Sequence, residues 1–309
     1  MSDRVEIGVA IPQTFRTGPP DTKKIRAFLA RAEALGYHSV WAGEQILGSV
    51  PGLEPVELLT YAAAVTERLR LGTAVLLTGL RSPVHLAKSL ATLDHLSGGR
   101  LIVGVGLGGN VRVYPAYGIT PERRAARFAE GLEVMRRLWT EPRVTFAGDF
   151  WRLDDAPMEP KPLQKPHPPL WFGAHSPAAL KRAVERGAGF IGAGSGSLAA
   201  FRDEVKTVRE LLARSGRDPA TFTIGKRVYL AIDRDRARAG RRLADWFGAY
   251  YGKPDMAAQV AVWGEPAECG EHLAEVVGAG ARFLLIHTVF DELEHLERVA
   301  AEIVPQLPR

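Results

Sequence analysis

Short runs of β-branched and aromatic residues recur along the chain, and segments with apolar residues at helical spacing separate them. The runs contain few polar residues, which is typical of strands buried on both faces of a parallel sheet. The predicted strands are residues 5–11, 39–42, 71–76, 101–105, 170–172, 190–193, 222–232 and 283–286. The predicted helices between them are residues 25–35, 55–69, 83–96, 121–139, 177–186, 198–212 and 292–304. The chain therefore alternates strand and helix from end to end.

The spacing of the strands predicts the fold. Strand starts near residues 5, 38, 71 and 101 lie one βα unit apart. Eight such units predict a single (β/α)8 barrel, the TIM barrel, over residues 1–309, and a doubly wound sheet is the alternative. Two gaps are too long for one helix. Residues 144–146 and 150–153 predict a hairpin inserted after the fourth strand, and residues 234–251 and 266–277 predict helices inserted after the seventh.

Composition narrows the class of protein. Apolar residues make up 46 % of the chain and charged residues 24 %, which excludes intrinsic disorder as the main state. No apolar stretch approaches the roughly 18 residues of a membrane span, so no membrane partner is predicted. The lone cysteine, Cys269, cannot form an internal disulfide, and the first nine residues lack the apolar run of a signal peptide. These features predict a cytoplasmic location.

Several chemistries are not supported by any motif. The net charge of +5 suits an anionic small ligand, but no zinc-finger, RNA-recognition or helix-turn-helix signature predicts a nucleic-acid partner. The eight histidines show no metal-ligand spacing, so no metal site is predicted. The chain also lacks the GxSxG motif of serine hydrolases and the phosphate loop of nucleotide triphosphatases.

The densest glycine segment, GVGLGG at 104–109, literally satisfies the GxGxxG dinucleotide motif. In that motif a helix begins within the glycines, whereas here Pro115 intervenes and the next helix is predicted only near Pro121. We therefore expect a strand end to which a flat ring or a neighbouring backbone approaches closely.

Two further loops follow neighbouring strands of the predicted barrel and are rich in small residues. They are Gly173-Ala174-His175-Ser176 and Gly192-Ala193-Gly194-Ser195. Backbone N–H groups in such turns, together with the start of the next helix, bind phosphate. Glycine at 192 and 194 would let the backbone approach the anion. The alternative is ordinary helix capping by Ser176 and Ser197.

Polar side chains lie at or near the ends of several predicted strands, where barrel enzymes place their catalytic groups. The candidates are Glu44, Gln45, Asn110 and His287 as catalytic residues and Arg227, beside Lys226, as a substrate-binding residue. Three of these have specific alternatives. Asn110 would cap a turn, His287 would be a hydrogen-bonded core group, and the Lys226-Arg227 pair would lie at the opposite end of its strand.

Taken together, the segments RLGTAV at 70–75, RSPV at 81–84, LSGGR at 96–100 and the glycine run resemble the luciferase-like monooxygenase superfamily. Residues 118–153 form a second matching block, and the resemblance covers nearly the whole chain. It implies a (β/α)8 barrel that binds FMN or the deazaflavin coenzyme F420. The cofactor ring would lie near Gly106 and against a bulge of the third strand, with a non-proline cis peptide near Thr73, Ala74 and Val75. The cofactor phosphate would bind the two loops at 173–176 and 192–195.

The resemblance also implies a homodimer and a variable substrate site. Specificity is expected to depend on residues 111–118, the two insertions and His287, because barrel enzymes vary their function in loops at the carboxyl ends of the strands. Tyr114 and Tyr117 would stack near the open side of the ring. Simple packing of their loop against the barrel is the alternative.

The chain departs from the family pattern at two places. Many F420-dependent members carry Asp-His where this chain has Glu44-Gln45, and sugar-phosphate-oxidising members carry a glutamate where this chain has Gly109. Glutamine does not titrate and glycine cannot move a proton, so that particular dehydrogenase chemistry is not expected. The prediction is hydride transfer between F420 and an unidentified small organic substrate. The alternatives are an FMN-dependent monooxygenase that uses reduced flavin and O₂, and a cofactor-free accessory protein on the same barrel.

Overall fold

The computed structural model describes residues 5–16 and 18–308. Its strands in chain order are β1 Glu6–Ala10, β2 Ser39–Ala42, β3 Arg70–Thr73, β4 Leu101–Val105, β5 Val144–Ala147, β6 Arg152–Ala156, β7 Leu170–Gly173, β8 Gly189–Gly192, β9 Thr223–Ile232, β10 Val262–Gly264 and β11 Phe283–His287. Strands β1, β2, β3, β4, β7, β8, β9 and β11 pair in parallel, and the β11–β1 and β8–β9 ladders close them into a ring. The predicted (β/α)8 barrel is confirmed, and the doubly wound sheet is excluded.

Helices follow the barrel strands and surround them. Their bounds are α1 Thr22–Ala34, α2 Pro55–Val65, α3 Pro83–Leu96, α4 Arg124–Thr140, α5 Pro177–Arg186, α6 Leu198–Ser215, α7 Arg236–Tyr251, α8 Met256–Val260, α9 Pro266–Gly278 and α10 Glu292–Arg298. Several begin at a proline, which suits the first turn because its missing N–H has no acceptor there. Within the described ranges, no helix is both long and apolar enough to cross a bilayer.

Several predicted helix bounds differ from those of the structure, and two of the differences have a clear physical cause. The helix predicted over residues 55–69 ends at Val65, because the Glu33 carboxylate accepts the N–H groups of residues 67–69 at 2.7 to 3.1 Å and holds them in a non-helical turn. The helix predicted from residue 121 begins at Arg124, whose N–H bonds the Pro121 carbonyl in a preceding turn. In both cases a tertiary or turn contact replaces the helical hydrogen bond.

The long gaps contain the predicted insertions. Strands β5 and β6 form an antiparallel hairpin between β4 and β7, and helices α7 and α8 with β10 lie between β9 and α9. The first helix of the second insertion, α7, buries Trp246 and Phe247 against Tyr229 of β9. This insertion therefore adds an aromatic layer beside the end of the barrel.

An aromatic layer fills the interior of the barrel. Trp41, Trp171 and Phe283 lie with ring centroids 5.1 to 5.4 Å apart. Glycines stand where these rings approach the opposing strands, and a Cβ at Gly72 would collide with the Trp41 ring. The barrel is thus a packed core and not a channel. A ligand site has to lie at its ends.

Candidate functional site

Strand β3 bulges where it leaves its ladder with β4. Gly72 pairs with Ile102 and the next bridge joins Leu76 to Val105, so three residues on one side oppose two on the other. The peptide bond between Ala74 and Val75 within this bulge is cis, which confirms the predicted position of a non-proline cis bond. The bulge directs the Ala74 carbonyl toward Arg227 on the opposite side of the barrel, 3.3 Å from Nη1.

The bulge explains two glycines of the run, Gly104 and Gly106. The Thr73 hydroxyl donates to the Gly104 carbonyl at 2.8 Å and accepts from the Gly104 N–H at 2.9 Å, and a Cβ at Gly104 would overlap the Thr73 carbonyl oxygen. A Cβ at Gly106 would lie 2.6 Å from Val75 Cγ2. The expected close approach of a neighbouring backbone is confirmed. A dinucleotide fingerprint is excluded, because a short 3₁₀ helix at Val111–Tyr117 follows the glycines and α4 begins only at Arg124.

Glu44 lies at the end of β2 and anchors the exit from the bulge. Its carboxylate accepts the Leu77 N–H at 2.6 Å and the Arg81 Nη2 at 2.9 Å, and Arg81 also pairs with Glu54. Burial raises the pKa of Glu44, and the Arg81 charge opposes that rise. Because both oxygens bind protein donors and the side chain is only 1 % exposed, Glu44 holds the loop between β3 and α3 in place.

The other candidates from this side of the barrel are placed differently. Gln45 is half-buried, and its amide covers Gly48 in its own loop. Asn110 is exposed and caps the short helix by accepting the Arg112 N–H at 3.2 Å.

Tyr114 and Tyr117 have different surroundings. Tyr114 is buried and its hydroxyl donates to the Leu107 carbonyl at 2.9 Å, which packs the loop on itself. Tyr117 is half-exposed. Its pKa is raised, first by burial and then by the charge of nearby Glu44. The structure therefore brings Tyr117, but not the Tyr114 hydroxyl, toward the carboxylate at the end of β2.

Arg227 and His287 meet at the opposite side of the mouth. Gly192, the last residue of β8, pairs with Lys226, and His287, the last of β11, pairs with Tyr229. Lys226 and Arg227 therefore lie level with the carboxyl ends of their neighbours, although β9 itself continues to Ile232. The Arg227 Nη2 contacts the His287 Nδ1.

The imidazole of His287 is enclosed by rings. Tyr229 lies 4.9 Å away between centroids and Trp246 lies 5.7 Å away, and the Tyr229 hydroxyl bonds the Tyr251 hydroxyl at 2.6 Å. Burial, followed by the Arg227 charge, lowers the pKa of His287 well below its ordinary value. His287 is therefore neutral near pH 7. Because Nδ1 accepts from the guanidinium, Nε2 carries the proton and can donate it in a hydrogen bond.

A small recess lies between these groups. It has a volume of about 20 Å³ and is lined by Gln13, Gly43, Arg227, Tyr250, His287, Thr288 and neighbouring residues of the loops after β1 and β11. The Gln13 amide fixes this corner by bonding both the N–H and the carbonyl of Gly43 at 2.8 and 2.6 Å. A larger groove of about 960 Å³ adjoins it and shares Thr14, Val289 and Glu292. The recess can take one ligand atom or a small polar group, while the groove is open to larger molecules.

The two small-residue loops are adjacent. Strands β7 and β8 pair through Gly173 and Ile191, so the loops that follow them emerge side by side. Ser176 caps α5 and Ser197 caps α6 by accepting the N–H groups of Ala179 and Ala200. The capping alternative is confirmed for these two serines. Of the loop residues before the caps, His175, Ala193 and Ser195 are exposed.

The glycines of the second loop have a packing reason that differs from the expected one. A Cβ at Gly192 would lie 2.7 Å from the Phe201 ring, and a Cβ at Gly194 would lie 2.7 Å from the Tyr229 ring. The space opposite these glycines is therefore filled by protein side chains. Glycine is required there because the loop packs closely on α6 and β9.

Lys226 holds this loop and was not assigned a role from the sequence. Its ammonium donates to the Ala193 and Gly196 carbonyls at 2.5 and 2.7 Å. Burial lowers the pKa of Lys226 to about 8. The only signal in the sequence that could have indicated this role is the alternation of side chains along a strand. If Arg227 faces the barrel interior, its neighbour Lys226 faces the surrounding helices.

Comparison with known proteins assigns the chain to a family. The family model described as luciferase-like monooxygenase matches residues 5–282. An uncharacterised protein of Mycobacterium tuberculosis is 40 % identical over 171 residues, and that alignment spans 54 % of this chain and 58 % of the relative. The F420-dependent glucose-6-phosphate dehydrogenase of Kineococcus radiotolerans is 31 % identical over 92 % of this chain and 93 % of its own length. The crystal structure of monooxygenase RslO1 from Streptomyces bottropensis superposes with a TM-score of 0.84 at 26 % identity, covering 97 % of this chain and 99 % of that one.

Proposed function

Because the chain belongs to the luciferase-like monooxygenase family, whose members are oxidoreductases with flavin-type cofactors, we propose that it transfers a hydride between F420 and a small organic substrate. The observation that carries this proposal is the relationship to an F420-dependent dehydrogenase over more than nine-tenths of both chains. One buried donor without a partner, the Arg227 Nε, lies at the barrel mouth and supports a ligand there.

The substrate in this proposal differs from glucose 6-phosphate. The proton-transferring pair expected for that reaction is absent, since Gln45 and Gly109 occupy its positions. The space around Gly109 is open, with no atom within 4 Å of a Cβ built there, so no other side chain takes the place of the missing glutamate. The relationship to the dehydrogenase therefore supports F420 as the cofactor more than it supports glucose 6-phosphate as the substrate.

The mouth of the barrel fits a flat cofactor ring. The ring would lie against the bulge formed by Thr73, Ala74 and Val75, where Gly106 keeps the adjacent strand free of a side chain. When bound, the cofactor supplies the hydride-carrying carbon. Tyr117 and Gln45 would border its edge on the side of β2, and Arg227 and His287 would border it on the side of β9 and β11.

The paired loops 173–176 and 192–195 would hold the cofactor phosphate. Both precede capped helices whose first turns carry partial positive charge, and His175 and Ser195 are exposed in these two adjacent loops. Lys226 would set the shape of the second loop by binding two of its carbonyls. Its ammonium would act on the loop and not on the phosphate.

The chain's own contribution to the reaction is positioning and polarity. The aromatic layer below the bulge excludes water from one face of the site. Glu44 keeps the bulge exit fixed, and the neutral His287 offers an N–H without competing for protons. We place Glu44 as a positioning residue, Gln45 and His287 as catalytic candidates, and Asn110 at the rim, where it shapes the loop.

Cofactor titration tests the proposal. The purified chain is titrated separately with F420 and with FMN while cofactor fluorescence is followed. We expect saturable binding of F420 that is at least tenfold tighter than that of FMN. Failure to bind F420 would contradict the proposed function.

A charge variant tests the phosphate loops. Ala193→Glu places a carboxylate on the exposed loop and should raise the dissociation constant of F420 tenfold or more, because it repels the phosphate. Ala213→Glu, exposed near the other end of α6, is the matched control and should leave it within twofold. Equal effects of the two variants would contradict this placement.

A monooxygenase is the second candidate, favoured by the 26 % identity to the monooxygenase RslO1 over nearly the whole of both chains, and FMN is the cofactor that we propose for it. In this case reduced FMN and O₂, and not F420, would support turnover. Tighter binding of FMN than of F420 in the titration, with oxygen uptake in the presence of reduced FMN and substrate, would favour this candidate.

A further inference from the structure

The Lys226 ammonium lies between β9 and α6, against the loop that joins β8 to α6. Lys226 is 5 % exposed, and its Nζ lies 5.6 Å from the centroid of the Phe201 ring of α6. The ammonium donates to the carbonyls of Ala193 and Gly196, which both belong to that loop. A buried cation therefore supports one of the two loops for which we propose phosphate binding.

The two hydrogen bonds of Lys226 fix the direction of two peptide groups. In a trans peptide the C=O and the following N–H point in opposite directions, and both peptides are trans. Since the Ala193 carbonyl faces the ammonium, the Gly194 N–H faces away from it. The same holds for the Gly196 carbonyl and the Ser197 N–H. Neither N–H donates to an acceptor within the described ranges. The loop therefore has two free donors on the side opposite the lysine.

Lys226 acts on an anion at these donors in two ways. Its hydrogen bonds orient the free N–H groups, and its positive charge attracts the anion from the other side of the peptide groups. The attraction exists only while the amine is protonated. Any change in the protonation of Lys226 therefore changes the affinity of the loop for an anion.

Glu204 on α6 is a second titrating group beside this loop. It is half-buried and acts on Lys226 through its charge, while the hydrogen bonds of the ammonium go to the loop carbonyls. Burial lowers the pKa of Lys226 to about 8, and the Glu204 charge opposes that fall. Burial raises the pKa of Glu204 to about 7, and the Lys226 charge opposes that rise. Asp203 is the one further charged group in the described chain that acts on either residue.

We infer that Lys226 and Glu204 couple binding of the cofactor phosphate to proton uptake, with Lys226 as the positioning residue of the phosphate loop. This inference rests on the proposed function. A phosphate at the free N–H groups attracts the protonated ammonium and repels the ionised carboxylate, so it favours the protonated form of both residues. More protons are then bound in the complex than in the free chain. The dissociation constant of F420 therefore rises as the pH rises from 6.5 to 8.5.

Isothermal titration calorimetry measures the proton uptake directly. F420 is titrated into the full chain at pH 7.8 in two buffers of different ionisation enthalpy, and the difference in heat gives the number of protons taken up. The comparison ligand is the same deazaflavin without its phosphate, because the ring is common to both. We expect binding of F420 to take up about 0.3 proton more than binding of the phosphate-free ligand. The dissociation constant of F420 should rise about fivefold from pH 6.5 to 8.5 relative to that of the phosphate-free ligand.

Lys226→Met tests the positioning role. At pH 6.5 the dissociation constant of F420 should rise about tenfold, because the loop loses the group that orients its N–H groups, and that of the phosphate-free ligand should stay within twofold. The extra proton uptake should decrease in Lys226→Met and disappear in the double variant with Glu204→Gln. Glu210→Gln, exposed on the same helix, is the matched control and should keep wild-type values.

Lys226→Arg is the conservative variant and also serves if Lys226→Met does not fold. A guanidinium stays protonated across this pH range, so it keeps the charge and the donors but does not titrate. The dissociation constant of F420 at pH 6.5 should stay within threefold of the wild-type value, while the proton uptake decreases. A lysine with a merely structural role would leave the proton uptake unchanged.

Three outcomes would overturn the inference in a chain that binds F420. They are equal proton uptake with F420 and with the phosphate-free ligand, wild-type uptake in the double variant, and an equal loss of affinity for both ligands in Lys226→Met. Each of them leaves the proposed function intact. Failure to bind F420 in any buffer would reject both the function and the inference.

Discussion

The two sides of the barrel mouth differ in how their charged side chains are compensated. On the side of β2 and β3, the Glu44 carboxylate uses both oxygens on Arg81 and the Leu77 N–H, and Arg81 also binds Glu54. On the side of β9 and β11, the Arg227 guanidinium meets a carbonyl, an imidazole and a ring. One cluster satisfies its charges internally and the other does not.

This difference separates residues that hold the site from residues that face a ligand. A carboxylate whose two oxygens already accept hydrogen bonds from the protein has little capacity to bind a substrate. A cation with unused N–H groups can still donate hydrogen bonds to one. The polar residues at the strand ends look alike in the sequence, yet their roles divide along this line. Glu44 fixes the bulge exit, and we place Arg227 and His287 against the ligand.

Breaking the satisfied cluster should have the largest effect on stability. Glu44→Gln leaves Arg81 with half of its charge compensation and removes an acceptor, so the free energy of unfolding should fall by about 3 kcal/mol. Urea denaturation measures it. Glu133→Gln, in the surface pair with Arg136, is the control and should change it by less than about 0.5 kcal/mol. Similar losses in the two variants would show that the Glu44 cluster does not stabilise the fold.

Removing the unsatisfied cation should have a smaller effect, in the opposite direction. Arg227→Met replaces a half-buried charge, whose Nε is fully buried and has no acceptor, by an apolar side chain of similar length. The free energy of unfolding of the cofactor-free chain should stay unchanged or rise by about 1 kcal/mol. The same urea experiment applies. A decrease of 2 kcal/mol or more would mean that Arg227 is a structural group whose partners compensate it fully.

Lys226 extends the comparison, because it is a buried cation whose ammonium donates to two backbone carbonyls. Burial lowers its pKa to about 8, against about 10.4 in the unfolded chain. Between these values the unfolded state binds more protons than the folded state, so the free energy of unfolding should rise with pH, by at most about 1.4 kcal/mol per unit. Below pH 8 this contribution is constant.

The control for this slope is Lys226→Met. Titrating tyrosines contribute to both proteins, so the difference between the two pH profiles from pH 8 to 9.5 removes their contribution and leaves that of Lys226 with its neighbour Glu204. The wild type should gain stability relative to the variant across that range. Parallel profiles would indicate that Lys226 keeps its ordinary pKa in the folded chain.

Periodicity was enough to predict the barrel, because each strand is a buried run and each helix has an apolar face. Helix ends were less predictable, since the end of α2 depends on Glu33, more than 30 residues earlier in the chain. The position of the cis bond came from the family resemblance and not from propensity.

Side-chain partners within the site could not be predicted from sequence. Glu44 and Arg227 both lie at strand ends, and nothing local indicates that only Glu44 finds an oppositely charged partner. Likewise Gly192 and Gly194 look like an anion loop, but packing against Phe201 and Tyr229 already requires glycine there. These distinctions depend on residues brought together by the closure of the barrel.

The aromatic layer inside the barrel has an optical consequence. Trp41 and Trp171 are almost completely shielded from water and lie directly below the mouth. Indole emission overlaps the absorption of flavin-type chromophores, so a chromophore bound in the mouth would quench the fluorescence of both tryptophans by resonance energy transfer. The intrinsic tryptophan fluorescence of the protein therefore reports whether the mouth of the barrel is occupied, without an added label.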